Sequence, residues 1–229
     1  ALIDERTKAI LICNPNNPTG MLTDREFLFR LLRVCRELGI FLVVDECFQD
    51  FIREPGQYSL KAQLPRYHNL FLLKAFTKRY AMAGVRLGYG ITENQELLEK
   101  MTQVTQPWNI SIPAQAAGIA ALGEVEYVEK ARNLIFEESE YLSEELYKLG
   151  MTVFPSQANY LFFKGPEDLF EICVGQNVLI RDCSNYPGLG RGFYRVAVRT
   201  HEENERLIQA IHDGLMEARK KAQEEEVEE

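Results

Sequence analysis

The sequence has few of the residues that metal sites, disulfide frames and membrane spans require. It contains three histidines, none at metal-ligand spacing, so no metal site is expected. Its five cysteines are odd in number, widely spaced and free of any C-x-x-C pair, which favours reduced thiols and a cytoplasmic location. No apolar stretch approaches the roughly 18 residues of a transmembrane helix, so no membrane association is expected.

Basic residues are outnumbered by acidic ones. The chain has 26 lysines and arginines against 34 aspartates and glutamates, and this net charge of -8 argues against nucleic acid as a partner. Glutamate dominates the C-terminus, and residues 221–229 are predicted to be a disordered acidic tail. With 229 residues and 46% hydrophobic content, the chain is long enough for one large domain or two smaller ones.

The N-terminal half opens with a strand, a loop and a helix. Residues 9–13 form a β-rich run that stops at Asn-Pro-Asn-Asn-Pro-Thr-Gly, residues 14–20, where two prolines and three asparagines predict a rigid loop. Thr23 or Asp24 is expected to cap a helix whose apolar residues recur at helical spacing. Gly39 is expected to end that helix.

A second apolar strand, residues 40–44, completes a βαβ unit. The strands of such a unit are parallel neighbours, and their carboxyl ends meet at one edge of the sheet. Asn17 and Asp45 are therefore expected at that edge. A third apolar run, residues 70–73, leads to Lys78, so an amine is expected at the same edge.

The C-terminal half has a different pattern. A helical tract over residues 113–149, split near Gly123, is long for a globular helix and predicts a connection between domains. After Gly150, short strands alternate with helices, which is typical of an α+β domain with an antiparallel sheet.

The polar residues expected at the strand edge are of the types that a pyridoxal phosphate ring requires. A carboxylate such as Asp45 beside the pyridine nitrogen keeps that nitrogen protonated, because opposite charge favours the charged form. The Asn17 amide can donate to the ring oxygen, and the Lys78 amine can bond covalently to the aldehyde. Arg86 can grip phosphate through its planar guanidinium. The sequence thus predicts Lys78 as the catalytic nucleophile and pyridoxal 5'-phosphate as the cofactor.

Each of these residues also has a structural interpretation. Lys78 and Arg86 could be solvated surface residues. Asp45 could cap a loop or bind a metal, since Leu-Val-Val-Asp-Glu also resembles the second motif of P-loop nucleoside triphosphatases. That class requires a G-x-x-x-x-G-K-[ST] loop, which the sequence lacks.

Four motifs in matching order carry a family resemblance; they are residues 14–20, 43–46, 77–78 and 84–89. Together they resemble the fold type I class I and II aminotransferases, a superfamily of pyridoxal phosphate enzymes. The resemblance implies an α/β fold of the aspartate aminotransferase type. It further implies four segments. Residues 1–122 form a partial cofactor-binding large domain with a mostly parallel sheet, and residues 123–149 form a connecting helix. Residues 150–220 form a small α+β domain, and residues 221–229 form the acidic tail.

The same resemblance assigns roles to the site residues. It implies Lys78 as the lysine bonded to the cofactor, Asp45 as the partner of the ring nitrogen and Asn17 as the donor to the ring oxygen. Thr77 and Arg86 are implied as further cofactor ligands, Arg86 on the phosphate. A dimer with shared sites is implied as well.

Later motifs narrow the resemblance within the superfamily. Residues 158–161, 180–189 and 194–199 resemble the threonine-phosphate decarboxylases of cobalamin synthesis, and next the histidinol-phosphate aminotransferases. In both groups the match implies that Arg195 holds the α-carboxylate of the substrate, with Asn17 as a second substrate contact.

The chain departs from the family pattern in three places. Phe48 stands where many aminotransferases have a tyrosine that bonds the ring oxygen, and Ala75 stands where a serine or threonine usually meets the phosphate. The family's preceding N-terminal part, with a phosphate-binding turn and a residue that stacks on the ring, is not in this sequence. A C-terminal fragment is therefore expected.

The leading expectation is an enzyme that decarboxylates L-threonine O-3-phosphate to aminopropanol phosphate. The alternative within enzymes is a histidinol-phosphate-type aminotransferase that uses 2-oxoglutarate. An alternative of another class is an inactive fragment that folds and self-associates.

Overall fold

A computed structural model describes residues 3–228 of the chain. The strands, in chain order, are β1 (Ala9–Cys13), β2 (Phe41–Asp45), β3 (Leu70–Ala75), β4 (Gly88–Ile91), β5 (Thr152–Phe154), β6 (Tyr160–Lys164), β7 (Arg181–Asp182) and β8 (Phe193–Ala197). The helices are α1 (Arg25–Glu37), α2 (Pro55–Tyr58), α3 (Phe76–Arg79), α4 (Gln95–Val104), α5 (Ile112–Ala121), α6 (Val125–Lys148), α7 (Leu169–Gly175) and α8 (His201–Glu228). Short 3₁₀ turns occupy Gln49–Phe51, Lys61–Arg66 and Ala83–Val85.

The chain divides into two compact units. The first comprises residues up to Asn17 together with Met21–Arg132, and the second comprises Pro18–Gly20 and Asn133–Glu229. The division falls within α6, in the segment where the sequence predicts a connecting helix. The division into four segments that the sequence suggests remains a prediction.

The first unit is built on a four-stranded sheet in the order β1-β2-β3-β4. β1 and β2 are parallel neighbours, as are β2 and β3, whereas β4 runs antiparallel to β3. The βαβ unit predicted from the sequence is thus present, and the three parallel strands end at one edge of the sheet. β1 is an outer strand of this sheet, and its Leu11 is 65% exposed.

Helix α1 packs against β2 and β3, and the three elements form the core of this unit. The Asp24 side chain caps the helix by accepting from the Phe27 amide at 2.9 Å, which decides between the two caps that the sequence allowed. Beyond the helix, Gly39 adopts the left-handed conformation with φ of 67°, a conformation that glycine tolerates without strain. The buried core comprises Leu28, Leu32, Cys35, Leu42, Val44, Leu70 and Leu72, among others.

The second unit contains an antiparallel sheet in the order β5-β6-β8-β7. Helices α6, α7 and α8 contribute to its core, whose buried members include Leu142, Leu146, Phe163, Leu169, Tyr194 and Ile211. This is the α+β arrangement predicted after Gly150. Throughout residues 3–228, no helix combines the length and apolar composition needed to cross a bilayer.

One segment differs from the sequence predictions. Helix α8 continues to Glu228, so residues 221–228 are helical where a disordered tail is predicted, and Glu229 lies outside the described residues. Glutamate, glutamine, alanine and lysine are good helix formers, and their propensity extends a helix that the core has already nucleated. Just before β4, Arg86 adopts a left-handed conformation with φ of 57°.

Candidate functional site

The carboxyl ends of β1, β2 and β3 bring the predicted polar residues into one neighbourhood. Asp45, at the end of β2, is the register partner of Cys13 in β1 and of Leu73 in β3. The Asn14 amide donates to the Asp45 carbonyl at 2.8 Å, and the Glu46 amide donates to the Leu73 carbonyl at 3.0 Å. The residues immediately after the three strands are therefore held side by side by the sheet itself.

Asp45 is half-buried between two thiols. Its Oδ1 accepts from the Cys47 amide at 3.0 Å. Burial, and then the Asp45 charge, raise the pKa of the Cys13 thiol, while a hydrogen bond from the Asn17 backbone lowers it. Burial is also the largest cause that raises the pKa of Cys47, to about 12, followed by the hydrogen bond and charge of Asp45. Because their pKa values are raised, both thiols remain neutral near pH 7.

The Cys47 thiol is expected to be almost inert toward alkylation. At pH 9, a thiol with a pKa of about 12 is ionised roughly 500-fold less than one at its usual value of 9.0, and the thiolate is the nucleophile. Because the folded pKa is raised, this group favours the folded state fully below pH 9 and progressively less as pH rises toward 12. Peptide mapping after iodoacetamide treatment measures the rate, with urea-unfolded protein as the control. Equal rates in folded and unfolded protein at pH 9 would contradict the expectation.

Lys78 lies on α3, a single helical turn that directly follows β3. Its side chain is exposed, and its Nζ lies 5.4 Å from the centroid of the Phe48 ring. Phe48 is buried and stands three residues after Asp45. The structure therefore brings the predicted lysine beside the segment that begins with the predicted carboxylate. Lys78 is accessible to a small molecule at that edge.

The remaining predicted cofactor residues border the same edge. Asn17 follows β1, and Thr77 precedes Lys78 on α3. Arg86 is exposed and donates to the Ala83 carbonyl at 3.0 Å. It stands two residues before Gly88, which pairs with Ala75, the last residue of β3. A Cβ at Gly88 would lie 3.0 Å from the Lys74 carbonyl oxygen, so glycine favours the close approach of the two strands here.

A buried ion-pair cluster lies behind these residues and was not predicted. The Lys74 Nζ lies 3.1 Å from Glu46 Oε2, with exposed side-chain fractions of only 14% and 1%. Lys74 is also 3.9 Å from Asp50 Oδ2, and Arg79 Nη1 is 2.8 Å from Asp50 Oδ1. The Ser59 hydroxyl donates to Glu46 at 2.8 Å. The one sequence signal for this cluster was Lys74, which directly follows the apolar run of residues 70–73. A lysine that is buried with such a run requires a partner of opposite charge.

Arg195 belongs to the second unit. Its guanidinium carbon lies 5.0 Å from the centroid of the Tyr160 ring, and its register partner across the β7–β8 ladder is Arg181. Arg181 donates to the Asn185 side chain at 3.0 Å. Directly opposed residues of an antiparallel pair share one face of the sheet. Two guanidinium groups thus stand on the same face, an arrangement suited to a multiply charged anion.

The chain matches known proteins along most of its length. The family model for aminotransferase class I and II matches residues 1–211. The chain belongs to the class I and II aminotransferase family. This confirms the family predicted from the four motifs, and members of this family are pyridoxal phosphate-dependent enzymes.

Among the relatives of this aminotransferase-family chain, threonine-phosphate decarboxylase from Salmonella typhimurium is 35% identical over 210 residues, covering 90% of this chain and 57% of that protein. Histidinol-phosphate aminotransferase from Anaeromyxobacter sp. is 37% identical over 218 residues, covering 92% of this chain and 58% of that protein. The crystal structure of histidinol-phosphate aminotransferase from Clostridium acetobutylicum matches with a TM-score of 0.84 and 33% identity, over 89% of this chain and 63% of that one. The predicted fold is confirmed, and the chain spans a little over half the length of the curated relatives that it matches.

The edge residues of this aminotransferase-family chain fit pyridoxal phosphate. The cofactor is a flat anion that carries an aldehyde, and the edge offers an exposed amine, a carboxylate and an exposed guanidinium at Lys78, Asp45 and Arg86. Asn14 adds a buried Nδ2 that has no hydrogen-bond partner, a donor that a polar ligand would satisfy. Within the part of the chain that the structure describes, no three or more side chains of metal-ligating type come together as a metal site.

Proposed function

We propose that the protein is a pyridoxal phosphate-dependent enzyme that acts on a phosphorylated amino acid. The reaction proposed is decarboxylation of L-threonine O-3-phosphate to carbon dioxide and aminopropanol phosphate. The observation that carries the proposal is the exposed Lys78 amine, 5.4 Å from the Phe48 ring, beside the segment that Asp45 begins. The family membership supports the cofactor, and the relatives named above act on phosphorylated compounds by their names.

In this proposal each side chain has one task toward the cofactor. Lys78 would hold the cofactor covalently, and its amine would move a proton at the substrate α-carbon. The Asp45 carboxylate holds positive charge at the ring nitrogen, and the Asn17 amide donates to the ring oxygen. Arg86 and Thr77 bind the phosphate of the cofactor. When bound, pyridoxal phosphate supplies the sink for the electron pair that is left when a bond to the α-carbon breaks.

The arginines of the second unit are proposed to hold the substrate. Arg195 is proposed to pair with the α-carboxylate of the substrate, and Asn17 is proposed as a second substrate contact. Arg181, opposite Arg195 in the ladder, supplies a further cation on the same face, which favours a substrate that carries both a carboxylate and a phosphate. Which bond of the α-carbon breaks depends on how Arg195 orients that carboxylate.

Amino transfer from histidinol phosphate to 2-oxoglutarate is the second candidate. It is favoured by relatives with 37% identity, against 35% for the decarboxylase. Incubation with threonine phosphate alone, with carbon dioxide measured, is compared with incubation with histidinol phosphate and 2-oxoglutarate, with glutamate measured. Carbon dioxide without glutamate supports the first proposal, and glutamate alone replaces it with the second. Neither product, together with no visible absorption band on adding the cofactor, supports the non-catalytic fragment.

We also propose a homodimer located in the cytoplasm. The surface between α4 and α5 supports self-association, because Trp108 is 95% exposed and Val104 and Ile112 are 84% and 81% exposed. Sedimentation measures the mass of the particle, and a monomer at working concentration would contradict the dimer.

Replacing Phe48 with tyrosine is expected to move the pH-dependent change in visible absorption of the cofactor-loaded protein to lower pH. A phenylalanine cannot donate to the ring oxygen, so that oxygen remains more basic than it would beside a tyrosine hydroxyl. Absorption titrations of both proteins give the two midpoints. Phe27→Tyr, on the exposed side of α1, serves as the control, and identical midpoints for wild type and Phe48→Tyr would remove the idea.

A further inference from the structure

We propose that the Asp50–Arg79 ion pair is a positioning device that holds Lys78 against the Phe48 ring. The proposal rests on the proposed function of Lys78 and adds two positioning residues to it. Arg79 is the immediate neighbour of Lys78 on α3, and its Nη1 lies 2.8 Å from Asp50 Oδ1. Asp50 stands in the 3₁₀ turn Gln49–Phe51, directly after Phe48.

The helix that carries Lys78 needs such an anchor. α3 has four residues and lacks a side-chain cap at its N-terminus. A single turn has a costly nucleus and few internal hydrogen bonds, so its orientation depends on tertiary contacts. On one face Phe76 is buried and stacks on Tyr80 at 5.2 Å between ring centroids. This contact joins the residues at the two ends of the turn, and the Arg79 guanidinium carbon lies 5.3 Å from the centroid of the Tyr80 ring. These contacts lie within residues 76–80, so the Asp50–Arg79 pair is what ties the turn to the segment after β2.

The partner segment is rigid enough to serve as the anchor. Gln49 and Phe51, on either side of Asp50, are both buried. Asp50 is itself only 17% exposed, and its other oxygen faces the Lys74 ammonium at 3.9 Å. The 3₁₀ turn therefore cannot move away from β3 without exposing the Phe51 side chain and separating these charges.

The charges of the cluster balance across two chain segments. Glu46 and Asp50, after β2, carry the two negative charges, and Lys74 and Arg79, on β3 and α3, carry the two positive ones. The Lys74–Glu46 pair joins the segments at the strand ends, and the Arg79–Asp50 pair joins them one turn further on. The Nε of Arg79 is buried without a hydrogen-bond partner, and the Asp50 carboxylate 2.8 Å from Nη1 offsets part of the cost of placing this guanidinium here.

The test uses lysine methyl groups labelled with ¹³C by reductive methylation, with the Lys78 signal assigned by its loss in Lys78→Arg. In wild type the Phe48 ring displaces this signal from those of solvated lysines. Asp50→Asn and Arg79→Met are expected to return it to the solvated position, whereas Arg79→Lys retains the displacement. Asp4→Asn, which removes another 2.8 Å aspartate–arginine pair, is the matched control and leaves it unchanged.

A second readout is the rate at which pyridoxal phosphate is captured at Lys78 and trapped with borohydride. We expect Asp50→Asn and Arg79→Met to slow it roughly tenfold, since small misplacements of a reacting group are costly, and the double variant to be no slower than either single one. Circular dichroism confirms that each variant is folded.

The two readouts separate the two claims. A Lys78 signal that stays displaced in folded Asp50→Asn, with an unchanged capture rate, would overturn the positioning role. Displacement that is lost in the variants, combined with no capture by wild type, would support the positioning role and overturn the proposed function instead.

Discussion

Replacing Lys78 with alanine is expected to abolish the visible absorption band that forms on adding pyridoxal phosphate, and to lower turnover at least roughly 10³-fold. In the proposed function the amine both bonds to the cofactor and moves a proton at the α-carbon, so its loss would remove two steps at once. The fold should be retained, because the side chain is exposed. Absorption spectra and product assays under identical cofactor concentrations measure the two effects.

Two variants sharpen this result. Lys78→Arg keeps a cation beside Phe48 but remains protonated at all working pH values, so it should fail like alanine. Lys100→Ala, on α4, removes a lysine whose ammonium is engaged by Glu96 at 2.6 Å on the exposed surface, and should behave as wild type. An unchanged absorption band in Lys78→Ala would show that the cofactor bonds elsewhere and would remove the mechanism.

Replacing Lys74 with methionine is expected to lower the free energy of unfolding by about 3 to 5 kcal/mol, the usual cost of leaving a buried carboxylate without its partner. Glu46 is only 1% exposed, so water cannot replace the Lys74 ammonium at 3.1 Å. The Ser59 hydroxyl still donates to Glu46, which places the effect within this range rather than above it. Urea denaturation with linear extrapolation provides the measurement.

The double variant Lys74→Met/Glu46→Gln tests the cause of that loss. Since it removes both charges, it should recover more than half of the stability lost by Lys74→Met alone. Lys100→Met breaks a closer but exposed pair and should leave the unfolding curve nearly unchanged. If Lys74→Met were as stable as wild type, the Glu46 charge would have to be solvated or neutralised in the folded protein.

Local structure could be predicted well because its causes are local. Apolar residues at period 3.6 or in short runs, with proline, glycine and asparagine between them, place β1, α1, β2 and β3 within a few residues of their observed bounds. The βαβ rule then places Asn17 and Asp45 at one edge. The exception was the predicted disordered tail. Residues 221–228 are helical, because the helix propensity of their side chains outweighs the repulsion between their charges.

The sequence alone therefore determined the elements, the family and the types of residue at the candidate site, because periodicity and ordered motifs are written along the chain. Only the tertiary structure decided that Lys78 faces Phe48 and that Lys74 and Arg79 meet Glu46 and Asp50. These partners are far apart in sequence, and their approach depends on the register between β2 and β3. A charge buried by such pairing leaves no local pattern, since its cost is offset by residues that arrive from another strand.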